Sequence, residues 1–124
     1  MGATEERNLE RTKHWEWTWN NDVMRMVDEC YAADCEVRDM IRGVALRGRE
    51  ELREVEKQIM AADATRRMSI TKMVASGDTV AAEMDAFFRD GAVAITSCVV
   101  LTFDDDGLIL SDHTYSEDPL GVNG

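Results

Sequence analysis

The chain has 124 residues, enough for one domain with its own core and too few for two. Its 25 acidic side chains against 14 basic ones give a formal charge of -11, which repels phosphate backbones and anionic lipid heads and argues against nucleic acid or membrane surfaces as partners. No stretch approaches the roughly 18 apolar residues of a spanning helix, and the charged opening MGATEERNLERTK lacks the apolar core of a signal peptide, so a soluble, cytoplasmic protein is expected.

Glu5 to Trp19 holds no Gly or Pro and repeats Leu9, Thr12, Trp15 and Trp19 on one side, which predicts a first helix. Trp15, Trp17 and Trp19 cannot share one helix face. Either Trp15 and Trp19 are core with Trp17 partly exposed, or at least one of the three sits at a pocket mouth or a subunit contact. Asn20-Asn21-Asp22 supplies turn chemistry and an N-cap for a short second helix with the apolar stripe Val23, Met26, Val27 and Cys30. Tyr31 to Asp34 closes this helical hairpin. From Asp34 the period changes to two, with Cys35, Val37 and Asp39 on one side of a strand and Glu36, Arg38 and Met40 on the other.

Ile41 to Gly48 reads as a loop or short hairpin leading to RGREEL, which opens a third helix. There Leu52, Val55, Ile59 and Met60 face the core, while Glu50, Glu51, Arg53, Glu54, Glu56 and Lys57 are expected in water, and the helix ends near Asp63. Strands follow over 66–75, 79–89, 92–103 and 108–117, separated by Ser76-Gly77-Asp78, Arg89-Asp90-Gly91 and Asp104-Asp105-Asp106-Gly107, each with the glycine of a tight hairpin. The tails before Glu5 and after Pro119 look loose. Helices followed by consecutive strands predict one α+β domain over residues 1–124, its helices packed in a curved antiparallel sheet with a conical cavity between the layers.

Several residue types carry bland readings. Cys30, Cys35 and Cys98 are an odd set in a chain that does not look secreted and are expected as reduced thiols. With only His14 and His113, and no CxxC or HxxxH, neither a metal site nor a cofactor is expected. Glu83 and Asp85 fall on the solvent face of an alternating strand, the methionines are core filler or an adaptable pocket lining, and Asp104 to Asp106 form a solvated hairpin tip.

The order of these parts, together with WNND at 19–22, YAADCEVRD at 31–39, LRGREEL at 46–52, SGDTVAAE at 76–83 and FDDDGLILSDHTYSEDP at 103–119, resembles the nuclear transport factor 2-like superfamily. The likeness is to its SnoaL-like polyketide cyclase and ketosteroid isomerase branches. It implies a conical pocket, homodimers, and functions spread over isomerases, cyclases, hydrolases, dehydratases and non-catalytic binders. In the isomerase branch an aspartate at the end of the first strand shuttles a proton, and Asp39 matches that position. Held against apolar walls, such a carboxylate would have a raised pKa suited to an α-proton. The alternative for Asp39 is an ordinary strand-end carboxylate paired with Arg38, Arg42 or Arg47.

The same branch holds the oxyanion with a helix-one tyrosine and a protonated aspartate on a later strand. The tyrosine position here holds His14, or Trp15 after a one-residue slip, and the aspartate position falls near Val99 with Thr96 the nearest polar neighbour. The usual pair is therefore not intact, and His14 could instead be a half-exposed helix residue. On the last strand, matching the isomerase ending puts Tyr115 and His113 inward, whereas matching the cyclase and hydrolase endings puts Asp112 and Thr114 inward. Met84 stands where the epoxide hydrolases of the superfamily carry the arginine of an Arg-x-Asp pair.

These readings give Asp39, His14, Asp112 and His113 as candidate catalytic residues. Trp15, Trp19, Met84, Thr96, Val99, Thr114 and Tyr115 are the candidate substrate contacts. The expected activity is cofactor-independent isomerisation or cyclisation of an apolar, steroid- or polyketide-like carbonyl compound by carboxylate-mediated proton transfer. The alternatives are a non-catalytic binding or dimerisation module, or a related hydrolase or dehydratase.

Overall fold

A computed structural model describes residues 2–117. The first helix, α1, spans Ala3–Asn21, and its buried positions Asn8, Thr12, Trp15 and Thr18 recur at three- and four-residue spacing. Three of these four are polar, so they can be buried only if bonded locally. Thr12 Oγ1 donates to the Asn8 carbonyl (2.8 Å) and Thr18 Oγ1 to the His14 carbonyl (2.9 Å). The helix ends where Asp22 turns out of helical geometry, and its side chain accepts the Arg25 N–H (3.1 Å), capping α2, Val23–Cys30. Val23, Met26, Val27 and Cys30 bury the inner face of α2.

No loop follows. Strand β1 begins at once and spans Tyr31–Asp39, so Tyr31 is a strand residue rather than part of the hairpin's closure. The expected start at Asp34 is late because pairing with the last strand is irregular between Tyr31 and Glu36, which breaks the period-two pattern. A short strand β2, Val44–Arg47, folds back on β1. Gly48, at φ +82°, then opens α3, Gly48–Ala62; an added Cβ there would meet the Ala33 carbonyl oxygen at 3.3 Å. In α3 the buried residues are Leu52 and Glu56, one turn apart, so Glu56 points inward and not into water as its residue type suggested.

Strands β3 (Arg67–Ser76), β4 (Thr79–Phe88), β5 (Val93–Phe103) and β6 (Ile109–Ser116) complete a six-stranded sheet in the order β2-β1-β6-β5-β4-β3. All pairs are antiparallel except β1 with β6, so the sheet is mixed. Val80, Ala82, Met84 and Ala86 on β4 and Ile95, Ser97, Val99, Leu101 and Phe103 on β5 turn the same face toward the helices. With Trp15, Val27, Leu52 and Met68 this face forms the core.

On β6 the register with β5 shifts between Thr102 and Phe103, which pair with Ser111 and Ile109, leaving Leu110 as an extra, exposed residue. That irregularity puts Ile109 and Asp112, three apart, on the same buried side. The triple-aspartate tip stays wet and is held by α1, with Arg7 donating to the Asp104 and Asp105 carbonyls and Arg11 to that of Gly107.

All three cysteines are free thiols, Cys30 and Cys35 buried. No described helix is long and apolar enough to cross a membrane. The amino-terminal tail is shorter than expected because α1 starts at Ala3, and the tail after Pro119 lies outside the described residues.

Candidate functional site

Between the helices and the inner face of the sheet lies a cavity of about 520 Å³. Its walls are apolar where Trp15, Trp19, Leu52, Met68, Met84, Phe88 and Ile95 meet, and three polar groups interrupt them. The first is centred on Asp112, only 4% exposed, whose strand neighbours are Val37 on β1 and Leu101 on β5. Tyr31 Oη donates to Asp112 Oδ2 (2.6 Å), Thr114 Oγ1 donates to Oδ1 (2.9 Å), and Trp15 Nε1 donates to the Tyr31 oxygen (3.0 Å). Burial pushes the Asp112 carboxyl up, opposed by the hydrogen bonds from Tyr31 and Thr114 and reinforced by the nearby charge of Glu56. Burial, with the Asp112 charge, drives Tyr31 well above the usual phenol value, so it remains a proton-bearing donor. This is a carboxylate fixed by hydroxyl donors and otherwise walled by side chains, a setting in which burial raises a carboxyl group's proton affinity.

The second group is a buried ion pair. Arg66, immediately before β3, bonds Glu56 Oε2 from Nη2, and its guanidinium stacks on the Trp19 ring at 4.0 Å from the centroid. Both side chains are almost fully buried and line the cavity.

The third group lies where the cavity is more open. Asp39 Oδ1 accepts the Ile41 and Arg42 N–H groups (3.1 and 2.9 Å), Oδ2 accepts Arg42 Nη1 (2.7 Å), and Arg42 Nη2 reaches the Glu117 carbonyl (2.8 Å). Burial pushes the Asp39 carboxyl up, but the hydrogen bonds and charge of Arg42 and the Ile41 N–H outweigh it and hold the group below its ordinary value. The apolar-walled carboxyl with a raised pKa that the sequence suggested at Asp39 is therefore found at Asp112. Asp39 has the geometry of a turn-capping, paired side chain.

The cavity thus brings together Asp39, Asp112, Trp15, Trp19, Met84 and Thr114 of the residues expected there. The others lie elsewhere. His14 Nε2 is 2.9 Å from Glu29 Oε1 on the helix surface, and His113 Nε2 is 3.1 Å from Glu36 Oε1 on the outer face of the sheet. Tyr115 and Thr96 are exposed on that outer face, and Val99 is sealed in the core without lining the cavity. The last strand thus presents Asp112, Thr114 and Ser116 inward. Trp17 is exposed beneath Arg25, Glu83 is exposed, and Asp85 is half-buried outside the cavity lining.

Tyr31, Glu56, Arg66 and Ser97 are among the cavity residues that sequence reasoning missed. Two carried a signal. Glu56 lies four residues after Leu52 and three before Ile59, on the inward stripe of α3, and Arg66 has the parity of Met68 and Ile70. Among the described residues no three His, Cys, Asp or Glu side chains come together in a way that could hold a metal ion.

Several solved structures share this architecture. A protein from Jannaschia sp. CCS1 named as a SnoaL-like polyketide cyclase superposes with a TM-score of 0.82 at 14% identity, over 99% of this chain and 93% of that one. An NTF-2 like protein of unknown function from Burkholderia xenovorans LB400 gives 0.81 at 15% identity, over 95% and 88%. An M. tuberculosis LEH-like epoxide hydrolase gives 0.77 at 16% identity, over 91% and 84%. At these identities the likeness shows the fold alone. No curated protein matches the chain. The profile of the SnoaL-like domain matches residues 12–111, from the middle of α1 to the residue before Asp112. With that match covering most of the sequence, and the fold agreeing, the chain belongs to the SnoaL-like domain family.

Proposed function

We propose that this protein catalyses proton transfer on a small, apolar carbonyl compound, leading to isomerisation or ring closure, with Asp112 as the group that takes and returns the proton. The observation that carries the reading is the Trp15, Tyr31, Asp112 hydrogen-bond chain in the wall of a largely apolar cavity. Tyr31 and Thr114 fix the carboxylate, while burial raises its proton affinity toward that of a working base. Two hydroxyl donors leave lone pairs free on both carboxylate oxygens to meet a C–H group. Asp39 serves the site by closing the turn through Arg42. A hydrolase could use the same Asp112, but Met84 in place of an arginine speaks against epoxide opening of the superfamily's type.

The test is exchange of the α-protons of 1-tetralone in D2O, followed by NMR. Asp112→Asn should slow the catalysed exchange by about 10²-fold or more, whereas Asp39→Asn should change it by less than about threefold. Catalysed exchange that survives in Asp112→Asn refutes the assignment.

A further inference from the structure

We infer that Arg66 is the oxygen-recognition group of this cavity: its guanidinium, charge-compensated by Glu56, takes the carbonyl oxygen of an otherwise apolar ligand. A guanidinium carries five N–H donors. Among the described residues Arg66 has one hydrogen-bond acceptor, Glu56, and its buried Nε–H has none. An unmet buried donor is costly, and a buried ion pair is seldom the most stable filling for an apolar space. Stacking on Trp19 covers a face of the guanidinium and leaves its N–H groups, which lie in its plane, to serve acceptors at the edge. Because Arg66 lines the cavity, an oxygen arriving there meets a preoriented donor without displacing a competing protein acceptor.

The pairing with Glu56 decides which oxygen suits the site. A lone arginine would select anions. Neutralised by Glu56, the pair favours an uncharged acceptor such as a ketone oxygen and still supplies a polarised N–H. The reach of the Glu56 charge to Asp112 and Tyr31 places the pair and the carboxylate in one electrostatic environment.

For catalysis the inference rests on the reading of Asp112 given above, and the step balances without a co-reactant. Asp112 takes a proton from the carbon next to the carbonyl. The C–H electron pair becomes a C=C bond, and the carbonyl pair moves to the oxygen, where Arg66 holds the enolate. In a β,γ-unsaturated ketone the enolate extends through the second double bond, and returning the proton to its γ-carbon moves that double bond into conjugation and completes the isomerisation. Arg66 thereby fills the role left open by the missing pair at His14 and Val99, from a different part of the fold.

The experiment compares binding of 1-tetralone with tetralin, the same skeleton without oxygen, by quenching of tryptophan fluorescence, and records the ¹³C shift of the bound carbonyl. The intact protein should hold the ketone at least about tenfold more tightly, the worth of one hydrogen bond to a charged donor, with the carbonyl resonance moved downfield. Arg66→Met should bring the two affinities within about twofold and return the resonance upfield. Glu56→Gln, which leaves the arginine uncompensated, should enlarge both the affinity ratio and the downfield shift.

Tetralin held as well as tetralone, or neither held, overturns the inference. So does a ratio and resonance that stay unchanged in Arg66→Met. If Arg66→Met does not fold, Glu56→Gln decides, and an unchanged ratio and shift there sink the idea. The readout is binding, so its failure is separable from failure of the proton transfer, which the exchange experiment reads.

Discussion

Replacing Asp112 with asparagine should stabilise the protein while removing its activity. The side chain keeps its size. The Tyr31 hydroxyl can still donate to the amide oxygen, and the Thr114 hydroxyl can turn to accept from the amide nitrogen, so the hydrogen bonds survive. What disappears is a carboxylate 4% exposed between Val37 and Leu101. Its pKa is raised in the folded protein, so folding is penalised only where the group ionises. The penalty is absent below the unfolded value near 3.9, grows as pH rises toward the folded value, and is constant above it. Removing a buried charge while keeping its two hydrogen bonds is worth on the order of 1 kcal/mol, so a gain of about that size is expected at pH 7, or about 3–5 °C in Tm for a domain of this size. Thermal melts of both proteins from about pH 3.5 to 8 read this directly, as a Tm difference that opens with rising pH. A difference that is independent of pH, or a wild type more stable at pH 7, would refute the picture of a desolvated, ionisable Asp112.

Tyr31→Phe should cost about 1–3 kcal/mol in urea melts, because it leaves the buried Trp15 Nε1–H without an acceptor. It also removes a bond that lowers the Asp112 pKa, so the acid limb of the activity profile should move to higher pH, and a stationary limb would count against the coupling. Asp39→Asn should lose about 1–2 kcal/mol with three hydrogen bonds weakened. Since the Asp39 pKa is lowered on folding, its contribution is present above the unfolded value and lost as pH falls through the folded one, so mutant and wild type should converge in acid. For the Glu56 and Arg66 pair, either Glu56→Leu or Arg66→Met alone should cost about 3–5 kcal/mol in chemical denaturation, whereas the double replacement should be close to neutral. Additive losses would mean the two charges are not coupled.

The helices and hairpins were legible because local rules govern them: the Asp22 cap, the unbroken run of α1 and the glycine-marked turns all appear where pattern places them. The site was harder to read for two separate reasons. Glu56 was assigned to water by its residue type although it falls on the inward stripe of α3, and Arg66, the partner that makes its burial tolerable, meets it only in three dimensions. Asp112 was ambiguous because strand parity cannot be carried across an unpaired residue. Counting by twos from Ile109 gives Ser111, His113 and Tyr115, the residues that the structure turns outward or leaves exposed. At Asp39 the sequence left two readings open, a base against apolar walls and a strand-end carboxylate paired with Arg38, Arg42 or Arg47, and only the folded turn shows Arg42 as the partner.

Leu110, the supernumerary residue of β6, has an implication for how such proteins diversify. The extra residue can be lost without changing the cavity: removing Leu110 leaves Ile109, Asp112 and Thr114 on the buried side in strict alternation, with Ser111, His113 and Tyr115 outward. A single residue gained between Ser111 and Asp112 has the opposite effect, turning His113 and Tyr115 into the cavity and Asp112 and Thr114 out of it. The chemistry on offer would then pass from a carboxylate base to an imidazole beside a phenol, with every other wall of the cavity unchanged. Deleting Leu110 and following α-proton exchange tests this: exchange should persist, and its loss would show that the extra residue itself sets the face of Asp112.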